Sequence, residues 1–258
     1  MEPMAKVILI TGAARRVGAG LARGLAKAGW DVAVHYRSGA DEAKALVTEL
    51  QAHGVRAHAF AADLDDTAQR EALIPAVSAH FGRIDALINN ASLFRYDTLD
   101  SLTEASWADH LNANLTAPIF LIRDFAKVLE AQGSKGVVIN ILDHKIDSPN
   151  PDFFAYTVGK VGLAGMTPTL ALALAPHIRV CGLAPGLILR SGDQTEAQYK
   201  AAWHDTPLRI GVSLEDMARS VRYILETPSL TGQNITLDAG ETLVARGRDV
   251  AFDDKLLS

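Results

Sequence analysis

Short apolar runs recur along the chain, and helical patterns fill the intervals between them. Lys6, Val7, Ile8, Leu9 and Ile10 form an apolar, branched run stopped by Gly12, which predicts a buried strand. Val17, Leu21, Leu25 and Ala28 then share one face of a helix that ends at Gly29. The same reading gives a strand at 31–36, a helix at 41–53 closed by Gly54, and a strand at 55–60. A helix at 67–81 before Gly82 and a strand at 84–88 leading into Asn89 and Asn90 follow. Residues 103–131 predict one long helix or two joined ones. Strands at 136–142, 178–183 and 234–237 alternate with helices at 154–174 and 214–226.

The strands are apolar throughout rather than at every second position. That predicts a parallel sheet covered on both faces, and right-handed crossovers make it doubly wound. The expectation is therefore an α/β, Rossmann-type sheet of about seven strands in a single domain spanning 1–258. Only residues 189–210 form a long stretch of weak periodicity. Such insertions in compact domains are usually functional, so a substrate loop is expected there.

Composition narrows the function classes. With 48% hydrophobic and 21% charged residues among 258, the chain is an ordinary globular one, not collagen, coiled coil or disordered. Its 25 basic and 30 acidic residues give a net charge of −5, which speaks against a nucleic-acid partner. The single cysteine, Cys181, has no partner for an internal disulfide, which fits the reducing cytoplasm. Residues 1–5 carry Glu2 and Pro3 and do not read as a signal peptide. The uncharged run 161–178 is interrupted by Gly162, Gly165, Thr167, Pro168, Thr169 and Pro176, so it reads as a buried helix rather than a membrane span. The eight histidines lack metal-ligand spacing, no metal site is expected, and no GxSxG elbow suggests a hydrolase.

Four segments can carry chemistry. Thr11 to Gly18 (Thr11, Gly12, Ala13, Ala14, Arg15, Arg16, Val17, Gly18) lies between the first strand and first helix. Small residues there let the backbone approach a pyrophosphate at a helix N-terminus. The second strand ends in His35, Tyr36, Arg37 and Ser38. A carboxylate for a ribose 2′-hydroxyl is missing, and Arg37 with Ser38 suits a 2′-phosphate, which selects NADPH/NADP+. Asp63 and Leu64 follow the third strand; Asp63 either accepts from the adenine amino group or is a helix N-cap or turn residue. Tyr156 and Lys160 lie four residues apart on one helix face. A neighbouring ammonium would lower the phenol pKa towards neutrality and make Tyr156 a general acid.

In this order the markers resemble the short-chain dehydrogenase/reductase family over essentially the whole chain: Thr11–Gly12 to Gly18, Asp63, Asn89–Asn90–Ala91, Asn114, Tyr156 to Lys160, and Pro185–Gly186. The resemblance implies that Tyr156 exchanges a proton with substrate, that Lys160 holds the nicotinamide ribose, and that Asn114 supports a water in the proton relay. It also implies that Asn89, Ala91 and the turn Pro185, Gly186, Leu187, Ile188 line the cofactor. The family is usually tetrameric or dimeric, so a homo-oligomer, a tetramer first, is expected, with the apolar helix 161–174 available as interface.

One departure is informative. Most family members have a serine just after the fifth strand, where this chain has Asp143. A carboxylate suits an N–H or a protonated ring nitrogen better than a carbonyl oxygen. This points to a nitrogen-containing substrate, a C=N bond among the options; a degenerate serine position is the alternative. The chain looks like the pteridine reductase branch, which includes dihydromonapterin reductases, through Arg16, the segment 35–38, Asn89 to Phe94, Asp143 and 185–189. That branch implies that Arg16 reaches cofactor phosphates and pterin, that Ser92 contacts cofactor or ligand, and that Phe94 stacks on the pterin. Phe94 as a core or loop anchor, and His144 as an ordinary loop residue, are the plain readings of those two. The expected activity is NADPH-dependent reduction of a small pterin-like substrate. A general carbonyl reductase for ketones or 3-oxoacyl groups is the alternative, and a non-catalytic NADP(H) sensor the second.

Overall fold

The computed structural model describes residues 5–190, 195–244 and 246–252. Strand β1 (Val7–Ile10) is buried along its whole length because it lies between two others, β2 (Asp31–Tyr36) and β4 (Ala86–Asn89). Ile8 is in register with Val32 on one side and Ala86 on the other. Adding β3 (Ala57–Ala61), β5 (Gly136–Ile141), β6 (Ile178–Pro185) and β7 (Asn234–Leu237) gives a seven-stranded sheet ordered β3-β2-β1-β4-β5-β6-β7, with every pair parallel.

Alternation along each strand sends side chains to opposite faces, and both faces are covered. Ile8, Ile10, Val32 and Val34 pack with Leu21 and Leu25 of α1 (Arg16–Lys27), Leu46 of α2 (Ala40–Gln51), and Val221 and Ile224 of α8 (Leu214–Glu226). Val7, Leu9, Leu87 and Val138 face the other layer. There they meet Ile74 and Val77 of α3 (Thr67–Phe81) and Leu121 and Phe125 of α5 (Ala117–Gln132). Each such buried side chain contributes about 1.5–3 kcal/mol. After β3 the chain crosses back over β1 to start β4 beside it, so a crevice opens between the carboxyl ends of β1 and β4.

Two elements differ from expectation, and at 103–131 the second of the two expected readings, joined helices, is the one found. The helical stretch 103–131 is α4 (Glu104–Leu111) and α5 joined through a π-helical turn, Asn112–Thr116. Such single wide turns favour functional positions, and this one contains Asn114. The weakly periodic stretch 189–210 contains α7 (Glu196–His204), capped by Thr195 and Gln198. Only Tyr199 and Ala202 of this helix are buried, too few to mark a period in sequence. Part of the expected substrate loop, residues 191–194, lies outside the described residues. Helix α6 (Phe154–Leu174) is long and apolar enough to cross a membrane by length and composition, yet only 39% of its most apolar window is buried. Leu163, Ala164 and Ala171 face the protein, whereas Val161, Met166 and Leu172 are exposed, so the expected buried helix has an outward apolar side.

Candidate active site

A cleft of about 1140 Å³ runs along the carboxyl end of the sheet. Its floor at the β1–β4 crevice is built by hydrogen bonds rather than by bulk. Thr11 Oγ1 accepts from the Asn90 and Ala91 N–H groups, both at 2.9 Å, and Asn90 Nδ2 donates to the Thr11 carbonyl at 2.8 Å. A Cβ at Gly18 would stand 2.4 Å from the Gly12 carbonyl oxygen, so only glycine lets α1 begin this close to the loop. The first turn of α1 has no acidic residue and no side-chain cap, which leaves its N–H groups and partial positive charge for an anion.

His35 ties this loop to the sheet. The Gly12 N–H donates to His35 Nδ1 at 3.0 Å, so the ring carries its proton on Nε2, which donates to the Ala62 carbonyl at 3.1 Å. Burial depresses the imidazole pKa to about 4. The ring nitrogens of His35 are thus occupied by backbone. Tyr36, Arg37 and Ser38 line the cleft beyond it. The Arg37 guanidinium is exposed, 3.8 Å from Asp65. Arg15, which sequence reasoning passed over, also lines this end, with its guanidinium 2.6 Å from Glu42. Its signal was available: an arginine at the N-cap of the first helix. Arg16 adopts a positive φ of 53° and donates to the Arg190 carbonyl at 2.7 Å.

Asp63 and Leu64 line the cleft. The N-cap of α3 is Asp66, which accepts from the Gln69 N–H; Asp63 is a turn residue accepting from the Asp65 N–H at 3.1 Å. Ala91, Ser92 and Phe94 also line the cleft, together with Val17, Gly18, Pro185, Gly186, Leu187 and Ile188. The turn 185–188 is clamped from behind: Val212 N–H donates to the Leu187 carbonyl at 2.9 Å, and the Tyr199 hydroxyl donates to the Ile188 carbonyl.

Two expected contacts fall elsewhere, and the side chain of Asn114 has a structural task of its own. Asn89 is not on the cleft surface; it is buried and donates to Asn140 Oδ1 at 2.9 Å, while Asn90 takes the lining position. Adjacent strand residues point to opposite faces, so a shift of one position decides which asparagine is seen. Thr11 braces the floor from below through the bonds above rather than lining it. Asn114 acts through its side chain as a latch: Oδ1 accepts from Ser92 Oγ at 2.7 Å and from the Leu93 N–H at 3.1 Å, and Nδ2 donates to the Leu93 carbonyl at 2.9 Å.

The reacting end gathers Asp143, Tyr156 and Lys160. Tyr156 Oη donates to Asp143 Oδ2 at 2.7 Å, and Asp143 Oδ1 accepts from the Lys145 N–H at 2.9 Å. Lys160 Nζ donates to the Ile141 carbonyl at 2.6 Å. Burial lowers the ammonium pKa to about 8, with Asp143 pulling the other way. The expectation that Lys160 lowers the Tyr156 pKa is reversed: burial first, then the Asp143 charge and its hydrogen bond, push the phenol well above its ordinary value. The closest charge is an anion, so Tyr156 keeps its proton. Phe94 stacks on Phe153, centroids 4.0 Å apart, and meets Tyr156 edge-on at 4.7 Å. It therefore both lines the cleft and anchors its loop. Sequence reasoning missed the wall formed by Lys145 with Asp249, Val250 and Ala251. Lys145 Nζ, almost fully buried, lies 2.8 Å from Asp249 Oδ2, a pairing across more than a hundred residues that no local pattern announces.

A parallel doubly wound sheet with a glycine-lined crevice, cations at one end and a buried Tyr–Lys pair at the other, defines a dinucleotide-dependent oxidoreductase. A sequence profile described as short chain dehydrogenase matches residues 6–200, and the chain belongs to that family. It is similar, at 37% identity and a TM-score of 0.89, to the crystal structure of FolM alternative dihydrofolate reductase 1 from Brucella suis in complex with NADP, covering 93% of this chain and 96% of that one. It is 32% identical over 244 residues to 3-oxoacyl-acyl-carrier-protein reductase FabG of Staphylococcus aureus, covering 92% of this chain and 98% of that protein. It is 31% identical over 284 residues to pteridine reductase 1 of Leishmania tarentolae, covering 94% and 98%.

Proposed function

We propose that this protein is an NADPH-dependent reductase of pterin-like substrates. The carrying observation is the carboxylate of Asp143 in the cleft, accepting the Tyr156 hydroxyl at 2.7 Å where a substrate edge would lie. An aminopyrimidine edge offers N–H donors that a carboxylate accepts strongly. The similarity to an alternative dihydrofolate reductase and to a pteridine reductase supports the same reading.

The residues present fit the cofactor. The uncapped N-terminus of α1 behind Gly12 and Gly18 suits a pyrophosphate; Arg37, Ser38 and Arg15 suit a 2′-phosphate; and Asp63 and Leu64 suit the adenine. Bound there, the reduced nicotinamide supplies hydride. Lys160 would hold the nicotinamide ribose, giving up its bond to Ile141 or sharing it. Asp143 orients the substrate edge and Tyr156 holds the proton that the ring nitrogen takes up. Phe94 and Arg16 flank the substrate, Ser92 is fixed by Asn114 to meet cofactor or ligand, and His35, Thr11 and Asn89 act from behind the cleft surface. The outward face of α6, with Val161, Met166 and Leu172, supports a homo-oligomer, a tetramer first; the lone buried Cys181 suits the cytoplasm.

The test is turnover of dihydropterins and dihydrofolate with NADPH beside a ketone and 3-oxoacyl panel. Turnover of the pterins is expected. Ketone or 3-oxoacyl turnover with none of the pterins would replace this reading by the carbonyl reductase that the similarity to 3-oxoacyl reductases favours.

A further inference from the structure

We infer that His144 and Glu241 form a proton path behind Asp143 and act as positioning residues for the reaction proposed above, on which this inference rests. His144 opens a 3-10 turn directly after Asp143 and lines the cleft. Its Nδ1 lies 3.3 Å from Asp143 Oδ1, and its Nε2 lies 3.6 Å from Glu241 Oε1. Asp143 Oδ2 in turn accepts from Tyr156, so four titratable groups stand in line from the cleft into the protein.

Glu241 is the unusual member. It follows β7 at the start of a 3-10 turn and is 2% exposed, and among the described residues neither carboxyl oxygen has a hydrogen-bond partner. A buried carboxyl without a hydrogen bond is costly and calls for a function. Space for it is made by Gly186 of the cleft turn, where a Cβ would stand 2.8 Å from Glu241 Oε2. The charges facing it are His144, Asp143, Arg246 and Asp249, and Arg246 also pairs with Asp205 at 2.6 Å. Asp238, which accepts from the Gly240 and Thr242 N–H groups, faces His144 from the same turn. Burial pushes the Glu241 carboxyl up, against the pull of His144 and Arg246, so it holds a proton more readily than an ordinary glutamate.

The chemistry balances. Reduction of a C=N bond puts hydride on carbon and a proton on nitrogen; both electrons come with the hydride, so the path carries the proton alone. Tyr156 gives its proton to the ring nitrogen and takes one back through Asp143, to which it is hydrogen-bonded. His144 Nδ1–H supplies Asp143 with that proton, and His144 Nε2 takes one from Glu241, which is left as carboxylate. Glu241 regains a proton from water along the same groups once product leaves. The 3.3 and 3.6 Å gaps must shorten for this, as hydrogen bonds at active sites do when ligand binds.

The experiment uses Glu241→Gln and His144→Ala in the full chain. Glu241→Gln keeps a donor for His144 Nε2 but has no acidic proton. It should lower kcat for NADPH-dependent dihydropterin reduction about 10- to 100-fold and move the fall in kcat to the higher pH at which Tyr156 loses its proton, with the KM for NADPH changed less than about twofold. His144→Ala should show the same loss and regain activity with added imidazole, which a structural role would not predict and which serves if the glutamine variant does not fold. Nitrogen-15 NMR of the ligand-free protein should show His144 as the Nδ1–H tautomer. Unchanged kcat and pH profile in Glu241→Gln, no rescue by imidazole, or an Nε2–H tautomer overturns the path. If the parent enzyme reduces ketones and not dihydropterins, the substrate reading fails, and the same comparison on the ketone decides the path separately.

Discussion

Acid should loosen this protein through one side chain, His35. The folded state holds the ring unprotonated between the Gly12 N–H and the Ala62 carbonyl, with a pKa near 4 set by burial. The unfolded chain binds that proton at its ordinary pKa of about 6.5. Between these values the unfolded state carries more protons, so the stability is fully present above pH 6.5 and is lost as pH falls towards 4. At about 1.4 kcal/mol per pKa unit, roughly 2.5 kcal/mol should be gone by pH 4.5, the order of a tenfold to hundredfold change in the folded-to-unfolded ratio. Urea unfolding at pH 7 and pH 4.5 measures it, and His35→Gln, which cannot titrate, supplies the comparison. The parent protein should lose about 2–3 kcal/mol more than the variant over this interval. Because the same ring fixes Gly12, NADPH affinity should fall in parallel with the stability. A ring that titrates near 6.5 by NMR, or an equal pH slope in both proteins, would refute the reasoning.

Replacing Tyr156 by Phe should cut turnover by about 100-fold or more while NADPH still quenches or enhances fluorescence on binding; undiminished turnover would remove Tyr156 as the acid. Arg37→Asp should weaken NADPH relative to NADH by about tenfold or more, since a charge-assisted contact of 1.5–3 kcal/mol becomes a repulsion; an unchanged preference in KM values would place the 2′-phosphate elsewhere. Asp143→Asn removes the charge and weakens the acceptor that hold the phenol high, so the alkaline limb of kcat/KM set by Tyr156 should move to lower pH. The same limb at the same pH would show that Asp143 does not govern the phenol.

The order of strands and helices could be read from the chain because each element carries its own period: apolar runs such as 7–10, and one-faced helices such as α8. Tyr156 and Lys160 could be read for the same reason, since four residues on a helix fix a spatial relation. So could Asp143, placed two residues beyond the end of β5. Where the local pattern is thin the reading failed: α7 buries only Tyr199 and Ala202, and Asn89, the last residue of β4, turns inward to Asn140 while Asn90 just beyond it lines the cleft.

What remained was decided by contacts between segments far apart in the chain. Nothing in the sequence around Tyr156 says that it is buried, or that its closest charge is the carboxylate of Asp143 rather than the ammonium of Lys160, and burial first, then that carboxylate, reverse the direction of its pKa. Nothing around Glu241 says that it is buried beside His144, or that Asp249 closes the cleft through Lys145. Periodicity is a property of neighbours along the chain, so it dictates elements and their faces. Protonation and electrostatics depend on burial and on distances of a few ångströms across the fold, and these exist only once the sheet has brought the ends of its strands together.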